Sequence, residues 1–272
     1  MPKMAAKTLL ILALACVQAA SASCSAQENT QKLKLVWAEE FDGSGLPDSK
    51  IWGYEVGFIR NQEAQYYTEG RLENARVEGG CLVIEARKED FGGAKYTSAS
   101  VNSLGKKEFF YGRIEVRAKI PTGIGSWPAI WMMGTDIPRV GWPECGEIDI
   151  MENIGREPSI IHGTIHGPGY VGDTGISSPY TLPGGQRFAD DFHVFTIEWE
   201  ANVIRFYVDG NLYATRTPAD LPSGTNWVFN KPFFIILNVA VGGDWPGDPD
   251  STTVFPQTLL VDYVRVYQRG GS

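Results

Sequence analysis

Arg113-Ile-Glu-Val-Arg-Ala-Lys-Ile120 carries an apolar side chain at every second position and a charged one between. Successive side chains of a β-strand point to opposite faces, so Ile114, Val116, Ala118 and Ile120 turn to a core while Arg113, Glu115, Arg117 and Lys119 meet water. Similar patterns recur in Leu82-Val-Ile-Glu-Ala-Arg87, Phe195-Thr-Ile-Glu-Trp199, Val203-Ile-Arg-Phe-Tyr-Val208 and Leu260-Val-Asp-Tyr-Val-Arg-Val-Tyr267. Asp209-Gly210, followed by Asn211, reads as a hairpin turn between two of these strands. Phe233-Phe-Ile-Ile-Leu-Asn-Val-Ala-Val241 is almost continuously apolar, as a central strand buried on both faces would be.

With 31 glycines, 16 prolines and no long stretch of helical period, the chain reads as all-β. Two antiparallel sheets packed face to face, a β-sandwich of the jelly-roll type, fit this pattern and offer a concave face to a long ligand. No Pro/Ser linker or run of charge divides residues 34–268, so one domain is expected.

The first residues belong to something else. Lys3 and Lys7 precede the apolar stretch Leu9 to Val17, and Ala20-Ser21-Ala22 offers a small-residue cleavage site, so residues 1–22 read as a secretory signal peptide. That stretch is too short for a good membrane span. Ser21-Ala22-Ser23-Cys24 also resembles a lipobox, which leaves a lipid anchor at Cys24 open beside soluble secretion, extracellular or periplasmic. Residues 23–33 are polar and read as a disordered tether, and residues 34–270 as the folded domain.

Removing residues 1–22 takes away two lysines and no acids, so the net charge moves from −8 to −8 − 2 = −10. Nucleic acid and anionic membranes both require a basic footprint and are excluded as partners; a neutral polysaccharide is not. A monomer is expected. Export permits a disulfide between Cys81 and Cys145, and two free thiols fit the sequence equally.

Chemistry concentrates in Gly146-Glu-Ile-Asp-Ile-Met-Glu-Asn-Ile-Gly155. Strict alternation puts Glu147 and Asp149 on one face, but it would bring Met151, not Glu152, beside them. A β-bulge between Ile150 and Glu152 returns Glu152 to the acidic face. At a rise of about 3.3 Å per residue the two Glu backbones then stand about 13 Å apart. Side chains leaning inward across that span reach the ~5–5.5 Å carboxyl separation of a retaining glycosidase. Three like charges on one face do not all ionise cheaply, so one of them is expected to keep its proton near neutral pH, as a general acid must. Trp127, Trp131 and Trp142 lie close upstream, and indole faces stack on the C–H faces of sugar rings. The bland alternative is a solvated acidic strand face, which the tryptophans make less economical.

With these residues in view, the chain resembles glycoside hydrolase family 16, and within it the bacterial laminarinases, endo-β-1,3-glucanases. The resemblance runs from about Val36 to Gln268. It rests on Trp37-Ala-Glu-Glu-Phe-Asp42, Asn61-Gln-Glu-Ala-Gln-Tyr-Tyr-Thr68, the Trp127-Pro-Ala-Ile-Trp131 and Glu147 to Glu152 runs, Asn238-Val-Ala-Val-Gly-Gly243 and Val261-Asp-Tyr-Val-Arg-Val-Tyr267. It implies a concanavalin A-like jelly roll and a retaining mechanism. By the same resemblance Glu147 is the nucleophile, Glu152 the general acid/base and Asp149 the assisting acid. Asn61 would bind on the glycone side, and Trp127, Trp131 and Trp142 would form an aromatic floor. His162 and His166 share parity, and His166 matches the family's histidine beside the catalytic strand. Trp245 would contact the aglycone side. No cofactor is implied for catalysis. A structural Ca²⁺ is implied, with Asp262 as carboxylate ligand and backbone carbonyls at Glu40 and Gly80. The alternatives are a mixed-linkage β-1,3-1,4-glucanase, a transglycosylase, or a non-catalytic β-glucan-binding protein. Loops at 169–189 and 242–256 are expected to narrow one end of the groove.

Overall fold

The computed structural model describes residues 32–270. The signal peptide, its cleavage site, Cys24 and nearly all of the tether lie outside the described residues. The strands follow in the order β1 (Leu33–Glu39), β2 (Gly53–Glu55), β3 (Gln65–Tyr67), β4 (Ala75–Glu78), β5 (Cys81–Phe91), β6 (Ala94–Ser98), β7 (Ser100–Asn102), β8 (Gly112–Lys119) and β9 (Ser126–Gly134). They continue with β10 (Glu147–Glu152), β11 (Ile160–His166), β12 (Ile176–Thr181), β13 (His193–Glu200), β14 (Val203–Val208), β15 (Asn211–Arg216), β16 (Phe233–Val241) and β17 (Gln257–Arg269). One helical turn, α1 (Ile137–Val140), and three short 3₁₀ turns complete the described elements.

These strands make two sheets. The larger runs β15-β14-β13-β8-β17-β5-β6-β3, with β1 added on β17 and β4 on β5; the smaller runs β12-β11-β10-β9-β16-β7-β2. Pairing is antiparallel except between β3 and β6. The expected jelly-roll sandwich is what forms. β1 takes in Leu33, so the domain starts one residue before the boundary read from the sequence.

Parity explains the layering. On β8, Ile114, Val116 and Ala118 are fully buried while the residues between them are partly exposed, as their alternation requires. Asp209-Gly210 closes the β14–β15 hairpin with both residues at positive φ and Val208 facing Asn211, the geometry of a two-residue Asp-Gly turn. β16 is buried along its whole length, as expected. Its odd residues Phe233, Ile235, Leu237, Val239 and Val241 face the core between the sheets. Phe234 and Ile236 join Ala129, Trp131, Met133 and Cys145 in a second cluster on the other face. That other face carries the cleft.

One reading changes and one open alternative closes. Part of the 169–189 stretch is strand β12, which pairs with β11 as the outer strand of the smaller sheet. Its Pro179 suits an edge, where a missing N–H breaks no ladder bond. Cys81 and Cys145 are free thiols, one at the start of β5 in the larger sheet and the other just before β10 in the smaller.

Candidate active site

Four adjacent strands of the smaller sheet each turn alternate residues into one cleft of about 950 Å³. β9 contributes Trp127, Ala129, Trp131 and Met133; β11 contributes His162, Thr164 and His166; β16 contributes Asn238 and Ala240. On β10 the parity has to change. Asp149 faces Trp131 and Thr164, whereas Glu152 faces Ala129 and His162, so three steps on β10 span two on each neighbour. The extra residue is absorbed at Ile150 and Met151, both buried in the core. This is the expected bulge, and it sets Glu147, Asp149 and Glu152 on the cleft side together.

Each glutamate accepts one indole N–H. Trp142 Nε1 donates to Glu147 Oε2 at 2.6 Å, and Trp127 Nε1 donates to Glu152 Oε1 at 3.1 Å. The tryptophans thus fix carboxylates as well as offering faces to a sugar. Trp131 is buried, with its N–H on Asn238 Oδ1 at 2.8 Å, so it forms the base of the cleft. His166 Nε2 lies 3.3 Å from Asp149 Oδ2. Gly175 lies against the far edge of that ring, where a Cβ would stand 2.5 Å from His166 Nδ1. The bare glycine is what lets the 172–175 segment close this rim of the cleft.

Burial is the main cause that pushes the pKa of all three acids up. Glu147 rises to about 8, through burial first and the neighbouring Asp149 charge second; His166 and the Trp142 hydrogen bond oppose it. Asp149 is raised by burial and eased by its hydrogen bond with Glu147. Glu152 is raised well above an ordinary Glu by burial and then by the Asp149 charge. A cluster of this kind holds protons into the neutral range and can supply one to a leaving group. Glu147, Asp149 and His166 also bring ligand atoms within 4.8 Å of one another, a donor set that a metal could use. The β10–β11 register brings the two acids to that histidine.

Asn61, Trp127, Trp131, Trp142, His166 and Trp245 all line the cleft. Asn61 and Trp245 come from loops whose backbones touch, Asp244 N donating to Asn61 O at 3.0 Å. Their side chains diverge. The Asn61 amide turns to Glu63, while the Trp245 ring packs edge-on against Trp127 and His162.

Sequence reasoning missed the polar network at the Asn61 end. Glu63 is buried and accepts from Gln65 Nε2 at 2.6 Å and Asn61 Nδ2 at 3.3 Å. Tyr67 and Asn238 continue the network, with Asn238 Nδ2 on Tyr67 Oη at 3.0 Å. Arg60 is paired with Glu55 and lies 4.9 Å above the Trp131 ring. A carboxylate between amides in Asn61-Gln-Glu63, and one Asn inside an apolar strand, were the available signals.

Asp262, Glu40 and Gly80 lie outside the cleft. Register brings them near one another, since Val261 faces Leu82 on β5 and Val264 faces Glu39 on β1. Asp262 Oδ2 accepts from Arg117 Nη1 at 2.6 Å, and the Glu40 carboxylate is held by Arg265. A cation at Asp262 would share that carboxylate with the Arg117 guanidinium or displace it.

Residues 62–265 match the family described as Glycosyl hydrolases family 16. The "Beta-glucanase" of Rhodothermus marinus is 47% identical over 253 residues, covering 86% of this chain and 85% of that protein. The "Glucan endo-1,3-beta-glucosidase A1" of Niallia circulans is 38% identical over 261 residues, with 87% of this chain spanning 38% of that longer protein. Among solved structures, the catalytic domain of an endo-1,3-beta-glucanase (laminarinase) from Thermotoga petrophila matches with 50% identity and a TM-score of 0.83, over 89% of this chain and 100% of that one.

Proposed function

This chain belongs to glycosyl hydrolase family 16, and we propose that it is a retaining endo-β-1,3-glucanase acting on laminarin-type glucans. The observation that carries the reading is the bulged β10 trio with an indole N–H on each glutamate.

In the first step a Glu147 carboxylate oxygen attacks the anomeric carbon, the bond to the glycosidic oxygen breaks, and Glu152 gives that oxygen its proton. In the second, water attacks the same carbon, Glu152 takes the water's proton, and Glu147 leaves. Asp149 shares a proton with Glu147, so Glu147 can be anionic before attack at a pH where three bare charges would not coexist. Trp142 keeps the nucleophile aimed by its hydrogen bond. Trp127 holds Glu152 at the other end of the trio. The cleft crosses four adjacent strands of the smaller sheet, a length that suits cutting within a chain.

Export of the mature domain, which the leader-like residues 1–22 support, would bring the enzyme to a polymer that cannot enter the cell. A Ca²⁺ at Asp262, Glu40 and Gly80 would act on stability, because it lies away from the reacting groups.

Product analysis tests the reading. Laminarin, barley mixed-linkage glucan and agarose are supplied separately, and NMR follows the anomer of the earliest product. Initial β-anomer from laminarin supports the proposal. Initial α-anomer would remove the retaining mechanism, and binding without product would make the protein a glucan receptor.

A further inference from the structure

Beyond the cleft's Asn61 end the surface stays apolar where solvent should have made it polar. Val56, Phe58 and Ile59 are 45%, 58% and 40% exposed along one loop. Phe58 packs edge-on to Tyr66 at 5.7 Å between centroids, and Tyr66 packs edge-on to Phe91 at 5.4 Å. The three rings form a ridge on the outside of the molecule. A groove of about 410 Å³ lined by residues 58–63 joins this ridge to the cleft, sharing Arg60, Asn61 and Glu63 with it.

We propose that the Phe58–Tyr66–Phe91 ridge is a second contact surface for the same polysaccharide, gripping a β-1,3-glucan chain as it leaves the cleft. The proposal rests on reading the cleft as a β-glucan site. Continuity through the shared residues gives one chain a path over both. Edge-to-face rings turn each aromatic plane relative to the last, and a glucan chain that twists along its length presents C–H faces in changing directions to match. Arg60 pairs with Glu55, and Arg71 pairs with Glu89 while covering Phe91. The exposed apolar side chains of the ridge suit a neutral polymer. The loop is also held in place, because Gly57 and Tyr67 exchange two backbone hydrogen bonds and Ala64 N donates to Val241 O.

The test compares long and short substrates. Phe58→Ala and Phe58→Ala/Phe91→Ala are expected to lower kcat/KM on polymeric laminarin by roughly 3- to 10-fold, the scale of one or two aromatic contacts. Laminaritetraose, short enough for the cleft alone, should be cut at the wild-type rate. Phe58→Trp should restore the polymer rate. In parallel, sedimentation with insoluble β-1,3-glucan is measured in the Glu147→Gln background, where Phe58→Ala should weaken binding. Equal losses on both substrates, or no loss on either with unchanged sedimentation, would overturn the proposal. So would a wild type that is dimeric and becomes monomeric in Phe58→Ala, since the ridge would then be a contact between copies. Absence of wild-type turnover on both laminarin and tetraose would instead refute the hydrolase reading, with the sedimentation assay still deciding the ridge.

Discussion

Glu147→Gln should make the protein more stable as the pH rises, relative to wild type. The folded cleft raises the Glu147 pKa from 4.5 to about 8. Below pH 4.5 the side chain is protonated in both folded and unfolded chains and its ionisation adds nothing. Between 4.5 and about 8 the unfolded chain has released the proton while the folded one keeps it. Stability therefore falls with pH across that window, because the folded state binds more protons. At 1.36 kcal/mol per pKa unit the full shift corresponds to about 5 kcal/mol. Water in the cleft and the proton shared with Asp149 reduce this, and roughly 2 kcal/mol is the difference we expect to survive. For a domain of this size that is a Tm gain of about 4–8 °C at pH 8.5 over any difference at pH 5. Gln keeps a carbonyl oxygen for the Trp142 N–H, so the substitution removes the charge and little else. Scanning calorimetry of wild type, Glu147→Gln and the exposed control Glu108→Gln between pH 4.5 and 9 reads the effect. Parallel Tm curves for wild type and Glu147→Gln would refute the reasoning, as would a variant that loses ground at alkaline pH.

Glu152→Ala should reduce turnover of laminarin by 100-fold or more while sparing aryl glucosides with good leaving groups, since only the natural substrate needs a proton on departure; equal losses on both would remove Glu152 as the acid. Trp142→Phe deletes the N–H on Glu147, a charge-assisted bond of about 1.5–3 kcal/mol, and should cost roughly 10- to 100-fold in kcat/KM. It should also move the acid limb of the pH–rate profile upward, and an unmoved limb would show that the indole only fills space. If Asp262 holds calcium, chelation lowers the wild-type Tm and leaves Asp262→Ala unchanged. Comparing the two by calorimetry with and without chelator separates the metal from the Arg117 ion pair, which the variant loses in either case.

Legibility from sequence followed the range of the interactions. Val203–Val208 and Phe233–Val241 were bounded correctly because period and composition are local properties of a strand. β12 reads as loop in the sequence because Ile176-Ser-Ser-Pro-Tyr-Thr181 is polar and holds a proline, as an edge strand tolerates. Glu63 escaped notice for a different reason. Its burial depends on Tyr67 and, through it, on Asn238, 171 residues from Tyr67, and no local pattern reports such a partner. His166 was chosen by resemblance, whereas its approach to Asp149 is a product of the β10–β11 register across 17 residues. The free state of Cys81 and Cys145 likewise depended on which sheet each joined.

One rule built both the fold and the site, and it had to be broken once. Alternation sends every second residue of β9, β11 and β16 into the cleft and the others into the core, so most of the lining follows from parity alone. An unbroken β10 would have brought Met151 to the cleft and put Glu152 in the core, a buried charge without a partner. The bulge instead places Ile150 and Met151 both in the core and lets Glu152 meet Trp127, at the cost of one regular ladder step. Because it is the spacing of the acids that demands the irregularity, the bulge is evidence about chemistry. A sheet selected for packing alone would have had no reason to give up that step.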